Sequence, residues 1–374
     1  MAVANTEVKY YRSTDSGVAT LSGEVGKVIA ILDSVNAGYG QITLDSLVVA
    51  SDVATGTLST GHNFTMVGGT IGPVILIAGA TPSSLNGEWR IASVPGSTTF
   101  TFVTDGISDQ TATGTITAKI APAGRTKVYS GTNLAAYQSD DVNGNQFFLY
   151  IDDTNATNTR FRGYESMTSI SSGTNPFPTE AQFSGGVYCY KSNAASSAGR
   201  PWIIILDQHL MYVCIDALNT STWKGGLMFG DGNSYKADDA YAALVLGSHV
   251  AGGDFYLYDL GTTASYAARS YIQTGTSISI GRASHKHATY LGYGSMPVLP
   301  SPVDNNAHVW PVEFYEGYYI PRGFMPGLWC PVHGSGMTHG TIISGIANLP
   351  DHTLMIHKLS TSYYAAIDIS GPWR

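Results

Sequence analysis

A chain of 374 residues is too long for one ordinary compact core, so two or three domains are expected. Only 12% of the residues are charged, about half the usual share. The net charge of −8 and isoelectric point near 5.6 exclude the basic stripe that a nucleic-acid partner requires, and a hydrophobic fraction of 43% excludes general disorder.

The opening run Glu7-Val8-Lys9-Tyr10-Tyr11-Arg12 has strand composition. A helix follows: Ser22 is a candidate N-cap, Val25, Val28, Ile29, Leu32 and Val35 recur at helical spacing, and Gly38 is the stop signal. One strand and one single-striped helix cannot close a core, so both must pack on later elements. Residues 47–119 read as a separate β module. In Thr98-Thr99-Phe100-Thr101-Phe102-Val103-Thr104 the alternation buries Phe100 and Phe102 on one face, while Pro82 and Asn86-Gly87 punctuate the flanking strands. Composition shifts back at Ile120-Ala121-Pro122-Ala123-Gly124, so residues 1–46 and 120–374 are expected to form one discontinuous β-rich body around the insertion.

Strands are then dense: 146–151, 161–164, 186–191, 202–206, 210–215, 226–229, 242–246, 255–258 and 277–280, with Gly, Asn, Asp and Pro between them, as in an antiparallel sandwich or barrel. Trp202-Ile203-Ile204-Ile205-Leu206 and Leu210-Met211-Tyr212-Val213-Cys214-Ile215 are apolar without alternation and joined by Asp207-Gln208-His209, the pattern of a central hairpin buried on both faces. Residues 290–331, rich in proline and aromatics, read as an extended arm covered by the body or by a neighbouring subunit.

The sequence offers little chemistry. Cys189, Cys214 and Cys330 are odd in number and widely spaced, so they are expected to be buried small hydrophobes. His285 and His287 are weak metal candidates, because an i, i+2 pair supplies only half a ligand set, with His308, His333, His339, His352 and His357 further on. In Asp152-Asp153 and Asp238-Asp239 neighbouring carboxylates point to opposite sides, which favours turns and helix caps over acid/base work. Gly230-Asp231-Gly232-Asn233-Ser234 lacks the ligand series of a calcium loop, Gly334-Ser335-Gly336 falls short of a nucleophile elbow, and Gly38-Tyr39-Gly40 opens no helix. Neither an enzyme nor a cofactor is expected. Tyr315, Tyr318, Tyr319, Phe324, Trp329, Tyr363 and Tyr364 are the candidates for a subunit interface or, less favoured, for stacking on sugars. The start of the chain has no basic and apolar leader, and no stretch of roughly 20 apolar residues occurs, so a soluble protein without membrane insertion is expected.

Four blocks carry a resemblance: Lys9-Tyr10-Tyr11-Arg12-Ser13; the segment from Leu21-Ser22-Gly23 through Ile29-Ala30-Ile31-Leu32-Asp33 to Asn36-Ala37-Gly38-Tyr39-Gly40; Ile120-Ala121-Pro122-Ala123-Gly124 with Gly131-Thr132-Asn133-Leu134-Ala135-Ala136-Tyr137; and Ile369-Ser370-Gly371-Pro372-Trp373-Arg374. Together they resemble a family of virion structural proteins of tailed bacteriophages and prophages, best before residue 200 and after residue 320. The resemblance implies a virion component of the tail region, near the baseplate or tip, assembled in the host cytoplasm. The module is similar to small β domains that recur in phage tail proteins. The expected fold is mainly β: an antiparallel sandwich or barrel-like body with one N-terminal helix and an inserted immunoglobulin-like small β-sandwich module. Expected partners are other phage structural proteins and further copies of the chain in a trimer or hexamer ring. A receptor-binding or fibre-anchoring role toward host surface glycans is the alternative, and a polysaccharide depolymerase comes third.

Overall fold

The computed structural model describes residues 4–257, 263–283, 309–317, 320–331, 337–358 and 364–374. The protein is mainly β, with antiparallel sheets and one α-helix among the described residues. Its spine is a run of neighbouring antiparallel strands. Lys9–Arg12 forms the edge, followed by Trp202–Leu206, Leu210–Ile215, Gly225–Asp231, Ala243–Ser248, Thr263–Ala267, Ile278–Ala283, Val309–Glu316, Ile320–Pro331, Tyr364–Asp368 and Leu354–Lys358. The opening strand thus finds its partner almost two hundred residues later, with Lys9 opposite Leu206 and Arg12 opposite Ile203. A second run, Arg125–Gly131, Leu134–Ser139, Phe148–Asp152 and Asn158–Ser169, joins the spine through Val187–Tyr190, where Tyr188 faces Ser248.

The central hairpin shows why its sequence lacks alternation. Trp202, Ile204, Leu206, Met211, Val213 and Ile215 point into one core, which also receives Val28, Ile31, Leu32 and Val35 of the helix. Ile203, Ile205, Leu210, Tyr212 and Cys214 point into a second core with Met228, Leu244, Phe255 and Leu257. Side chains still alternate with the pleat, but both destinations are apolar. At about 1.5–3 kcal/mol per fully buried large aliphatic side chain, these two strands contribute more burial than any polar contact they make.

The helix spans Lys27–Ala37, and its buried residues are Val28, Ile31, Leu32 and Val35. Two expectations are corrected here. Ser22 is not the cap, since the helix starts after Gly26, whose φ of 75° supplies the entry turn. Val25 lies outside the helix and is 47% exposed. The segment before Gly26 is pressed against another loop: a Cβ on Gly23 would stand 1.7 Å from the Ala194 carbonyl oxygen, and Ser22 bridges to Gly199 in strand fashion. The cap comes from elsewhere in the chain. The Val28 and Ile29 N–H groups donate to Asp153 Oδ2 at 2.7 and 3.4 Å, while Asp153 Oδ1 accepts from Thr159 at 2.6 Å and from the buried Lys191 ammonium. A carboxylate at a helix N-terminus satisfies orphan donors and complements the dipole. Asp152 points the other way and caps Thr154, as expected for adjacent aspartates.

Eight strands between Ile42 and Ile120 form a second sheet system and pair only with each other. Gly87–Gly96 crosses between its halves: residues 87–90 pair with Val74–Ala78, and residues 91–96 with Thr99–Val103. Phe100 and Phe102 are fully buried, and Gly56 leaves room for the Phe100 ring, which a Cβ would approach to 2.6 Å. Asn86 ties its turn by exchanging two 2.8 Å hydrogen bonds with the Ala80 backbone. Arg90 anchors this region to the start of the chain by donating to the carbonyls of Asn5 and Val8 at 2.7 and 2.5 Å, and Lys9 pairs with Glu88 at 2.6 Å.

Two further expectations change. Phe255 and Leu257 are buried but form no strand; the Phe255 amide donates to the Lys224 carbonyl, so the segment plugs the second core instead of pairing. Within 290–331, the described residues are not an extended arm. Val309–Glu316 and Ile320–Pro331 pair with each other and bury Val312, Phe314, Met325, Leu328 and Cys330 in their own chain's second core. Residues 290–308 lie outside the described residues. Cys189, Cys214 and Cys330 are free and buried, as expected, and burial pushes the Cys189 thiol up to about 12. Among the described residues no helix is long and apolar enough to cross a membrane.

Candidate functional site

Of the seven aromatic candidates, the structure brings Tyr315 and Phe324 to one surface. The ladder sets Phe324 opposite Glu313 on one side and Asn233 on the other, so the turn after Asn233 delivers Tyr235 to the same place. The Tyr235 and Phe324 rings meet edge to face at 5.0 Å, and the Tyr235 and Tyr315 hydroxyls donate to Glu313 Oε1 and Oε2, each at 2.5 Å. Burial, then the hydrogen bond to Glu313, hold the Tyr235 hydroxyl well above its ordinary pKa. Tyr235 is 50% exposed. A flat aromatic patch around a fixed carboxylate can pack against a neighbour at low ordering cost, because two-angle aromatic side chains lose little freedom. Trp329 and Tyr364 go elsewhere, into a third core with Val309, Ile346, Leu354 and Ile356, and Tyr364 is too buried to meet a partner. Tyr318, Tyr319 and Tyr363, like His285, His287, His308, His333 and Gly334-Ser335-Gly336, lie outside the described residues.

Behind the patch Arg322 is fully buried. It donates to both oxygens of Asp239 at 3.0 and 3.1 Å, to Glu316 at 2.7 Å, and to the carbonyls of Arg269 and Tyr241. Burial raises the Asp239 carboxyl, but Arg322 more than reverses this and leaves it below the usual range; burial keeps Glu316 above its usual range against the pull of Arg322. Asp239 is therefore an ion-pair partner, not one of two acids facing a substrate, while Asp238 is exposed in the turn at φ 57°.

A second cluster surrounds His209 at the tip of the central hairpin. Its Nε2 lies 2.9 Å from Asp141 and its Nδ1 3.5 Å from Asp231; Asp231 also accepts from the Asn145 amide groups, and Arg374 pairs with Asp207 at 3.1 Å. The hydrogen bond to Asp231 raises the His209 pKa, opposed by burial, with Asp141 adding to the rise; the backbone N–H of Asn143, then His209, lower that of Asp141. Arg125 is buried beside it, its Nε and Nη2 without an acceptor among the described residues. The adjoining space is about 10 Å³, enough for one water and too small for a substrate. Such an arrangement fastens the hairpin tip to the end of the chain.

A third cluster stacks His339 on Trp223, ring centres 3.5 Å apart, with His357 edge-on to His339 at 5.4 Å. His357 is buried, and among the described residues neither of its nitrogens has a hydrogen-bond partner. Burial lowers its pKa to about 3, and burial with the His357 neighbour lowers that of His339 to about 2. Both imidazoles are neutral stacking groups. Among the described residues no group of three or more His, Cys, Asp or Glu side chains converges as metal ligands. None of these clusters was visible in sequence spacing, since Tyr235 and Glu313 are 78 positions apart and His209 and Asp141 are 68 apart.

No protein-family model and no curated protein matches the chain. Among solved structures, the chain is similar to a phage phi92 endosialidase at 11% identity and a TM-score of 0.17, covering 89% of this chain and 57% of that one. A likeness at that level supports no argument about fold or activity. The chain spans little more than half the length of that structure.

Proposed function

We propose that the protein is a structural component of a tailed-phage particle, placed at the tail tip or baseplate, and that it works by assembling with sister copies and other phage proteins. The resemblance of its opening, hinge and closing blocks to phage virion proteins supplies the setting. The carrying observation is how the few charges are used. Lys9–Glu88, Arg162–Glu180, Lys191–Asp153, Arg269–Glu165, Arg322–Asp239 and Arg374–Asp207 form intramolecular pairs, each with at least one partner largely removed from water. Among the described residues, the exposed positions are mostly uncharged, rich in Gly, Ser, Thr and Asn, with Tyr235 of the patch and Trp310 as exposed aromatics. Such a surface is inexpensive to desolvate, and each 100 Å² of apolar area covered contributes about 2.5 kcal/mol before ordering costs.

In this reading the Arg322, His209 and Asp153 networks hold loops in place and turn over no substrate. Closed rotational symmetry, a trimer or hexamer, is the assembly expected on a tail. Electron microscopy of intact phage particles labelled with an antibody against this chain tests the placement. Label confined to the distal tail supports it, and label on the head or absent from particles overturns it.

A further inference from the structure

Of the lysine–carboxylate pairs among the described residues, only Lys191–Asp153 has both side chains completely removed from water. The equally buried Arg322–Asp239 pair uses a guanidinium, which stays protonated, whereas a lysine that gives up a proton becomes a nucleophile. Lys191 lies just past the end of Val187–Tyr190, and Asp153 just past the end of Phe148–Asp152. The two side chains are in direct contact, Nζ against Oδ1. Burial penalises both charges of such a pair, so a reaction that removes both relieves that penalty.

The groups around the contact are those that acyl transfer to an amine requires. Asp153 Oδ2 accepts from the backbone N–H groups of Val28 and Ile29 at the start of the helix, at 2.7 and 3.4 Å, donors that can hold the negative oxygen of a tetrahedral adduct. Oδ1 is the oxygen that must leave, and the Thr159 hydroxyl donates to it at 2.6 Å. Nζ also donates to the Glu24 carbonyl at 2.7 Å, so an ammonium with three donors finds two acceptors among the described residues. Burial raises the Asp153 carboxyl by more than Lys191 and the hydrogen bonds lower it, which favours the neutral acid beside a neutral amine. An amide formed here would need no new partner. Its oxygen would keep the Val28 and Ile29 donors, its N–H would keep the Glu24 carbonyl, and burial would shield it from hydrolysis.

We propose that Lys191 and Asp153 condense into an intramolecular amide, a covalent bridge between the strand ends at Asp152 and Tyr190. One proton passes from Nζ to the carboxylate, the freed Nζ lone pair attacks Cγ, and the Cγ–Oδ1 bond breaks. Oδ1 departs as water, carrying two protons that both came from Nζ. The step changes no oxidation state and consumes no second reactant. It is independent of the assembly surface, so its failure would leave the structural role standing. The test is intact-mass spectrometry of the denatured full-length chain. Most molecules should weigh one water less than the sequence requires, and tandem mass spectrometry of a digest should find residues 153 and 191 in one branched peptide. Lys191→Arg keeps a cation in place and should restore the full mass, whereas water lost by succinimide formation at Asp231-Gly232 would persist in that variant. A wild-type chain of full mass, separate linear peptides carrying Asp153 and Lys191, or a water loss retained in Lys191→Arg would each overturn the proposal. The wild-type masses decide the matter even if the variant does not fold.

Discussion

The central hairpin and the corner around Arg322 are both buried, yet they are held by opposite means. In the hairpin every position from Trp202 to Leu206 and from Leu210 to Ile215 carries an apolar side chain, and the pleat sends alternate residues into two cores. At the corner a short strand, a turn and a long hairpin must be brought together, and a single guanidinium does it by bonding two carboxylates and two carbonyls. Apolar burial is non-directional and tolerates repacking, whereas the ionic corner specifies one geometry and leaves charges stranded when broken.

Substitutions should separate the two. Arg322→Ala strands Asp239 and Glu316 and should cost about 4 kcal/mol in urea unfolding, within the range for breaking a buried pair; a loss under about 1 kcal/mol would show that the corner is held by its apolar neighbours. Ile204→Ala in the hairpin should cost about 3 kcal/mol, with no change in the pH dependence of stability.

Acid provides the next contrast. His357 has its pKa depressed from 6.5 to about 3 in the folded state, so its neutral form supports folding above 6.5 and that support is lost as pH falls toward 3. At pH 5 the unfolded chain is favoured by this residue alone by about 2 kcal/mol, and His357→Phe should remove that part of the slope. His209 has the opposite sign: its folded pKa is raised, so its contribution is present below 6.5 and disappears as pH rises through the folded value. The smallest effect on folding belongs to the patch. Tyr235→Asp, at a half-exposed position, loses the hydrogen bond to Glu313 and the Phe324 contact and should cost about 1 kcal/mol, while placing a charge on the proposed contact surface should weaken self-association about tenfold.

The hairpin was legible because burial on both faces writes itself locally, as an unbroken run of Trp, Ile, Leu, Met, Val and Cys. Phe100 and Phe102 were legible for the complementary reason, alternation with threonine. The helix stripe was read correctly at Val28, Leu32 and Val35, but its start was not: the cap is Asp153, 125 positions from Val28, and no local pattern encodes it. The same limit applies to function. Phe324, Tyr315 and Glu313 share a surface as a rich aromatic segment suggests, yet Tyr235, which completes the patch, comes from the turn after Asn233–Ser234, far away in the chain. Trp329 and Tyr364 have the same composition cue and fill a core, because composition cannot say which face of a strand a residue occupies until its register is known.

Assembly through an uncharged exterior is tested most directly by light scattering of the purified full-length chain at micromolar concentration, in low and in high salt. A closed oligomer of unchanged mass in both is expected, because contacts with few charges are screened little. A monomer in both, or an oligomer that dissolves as salt rises, would contradict it.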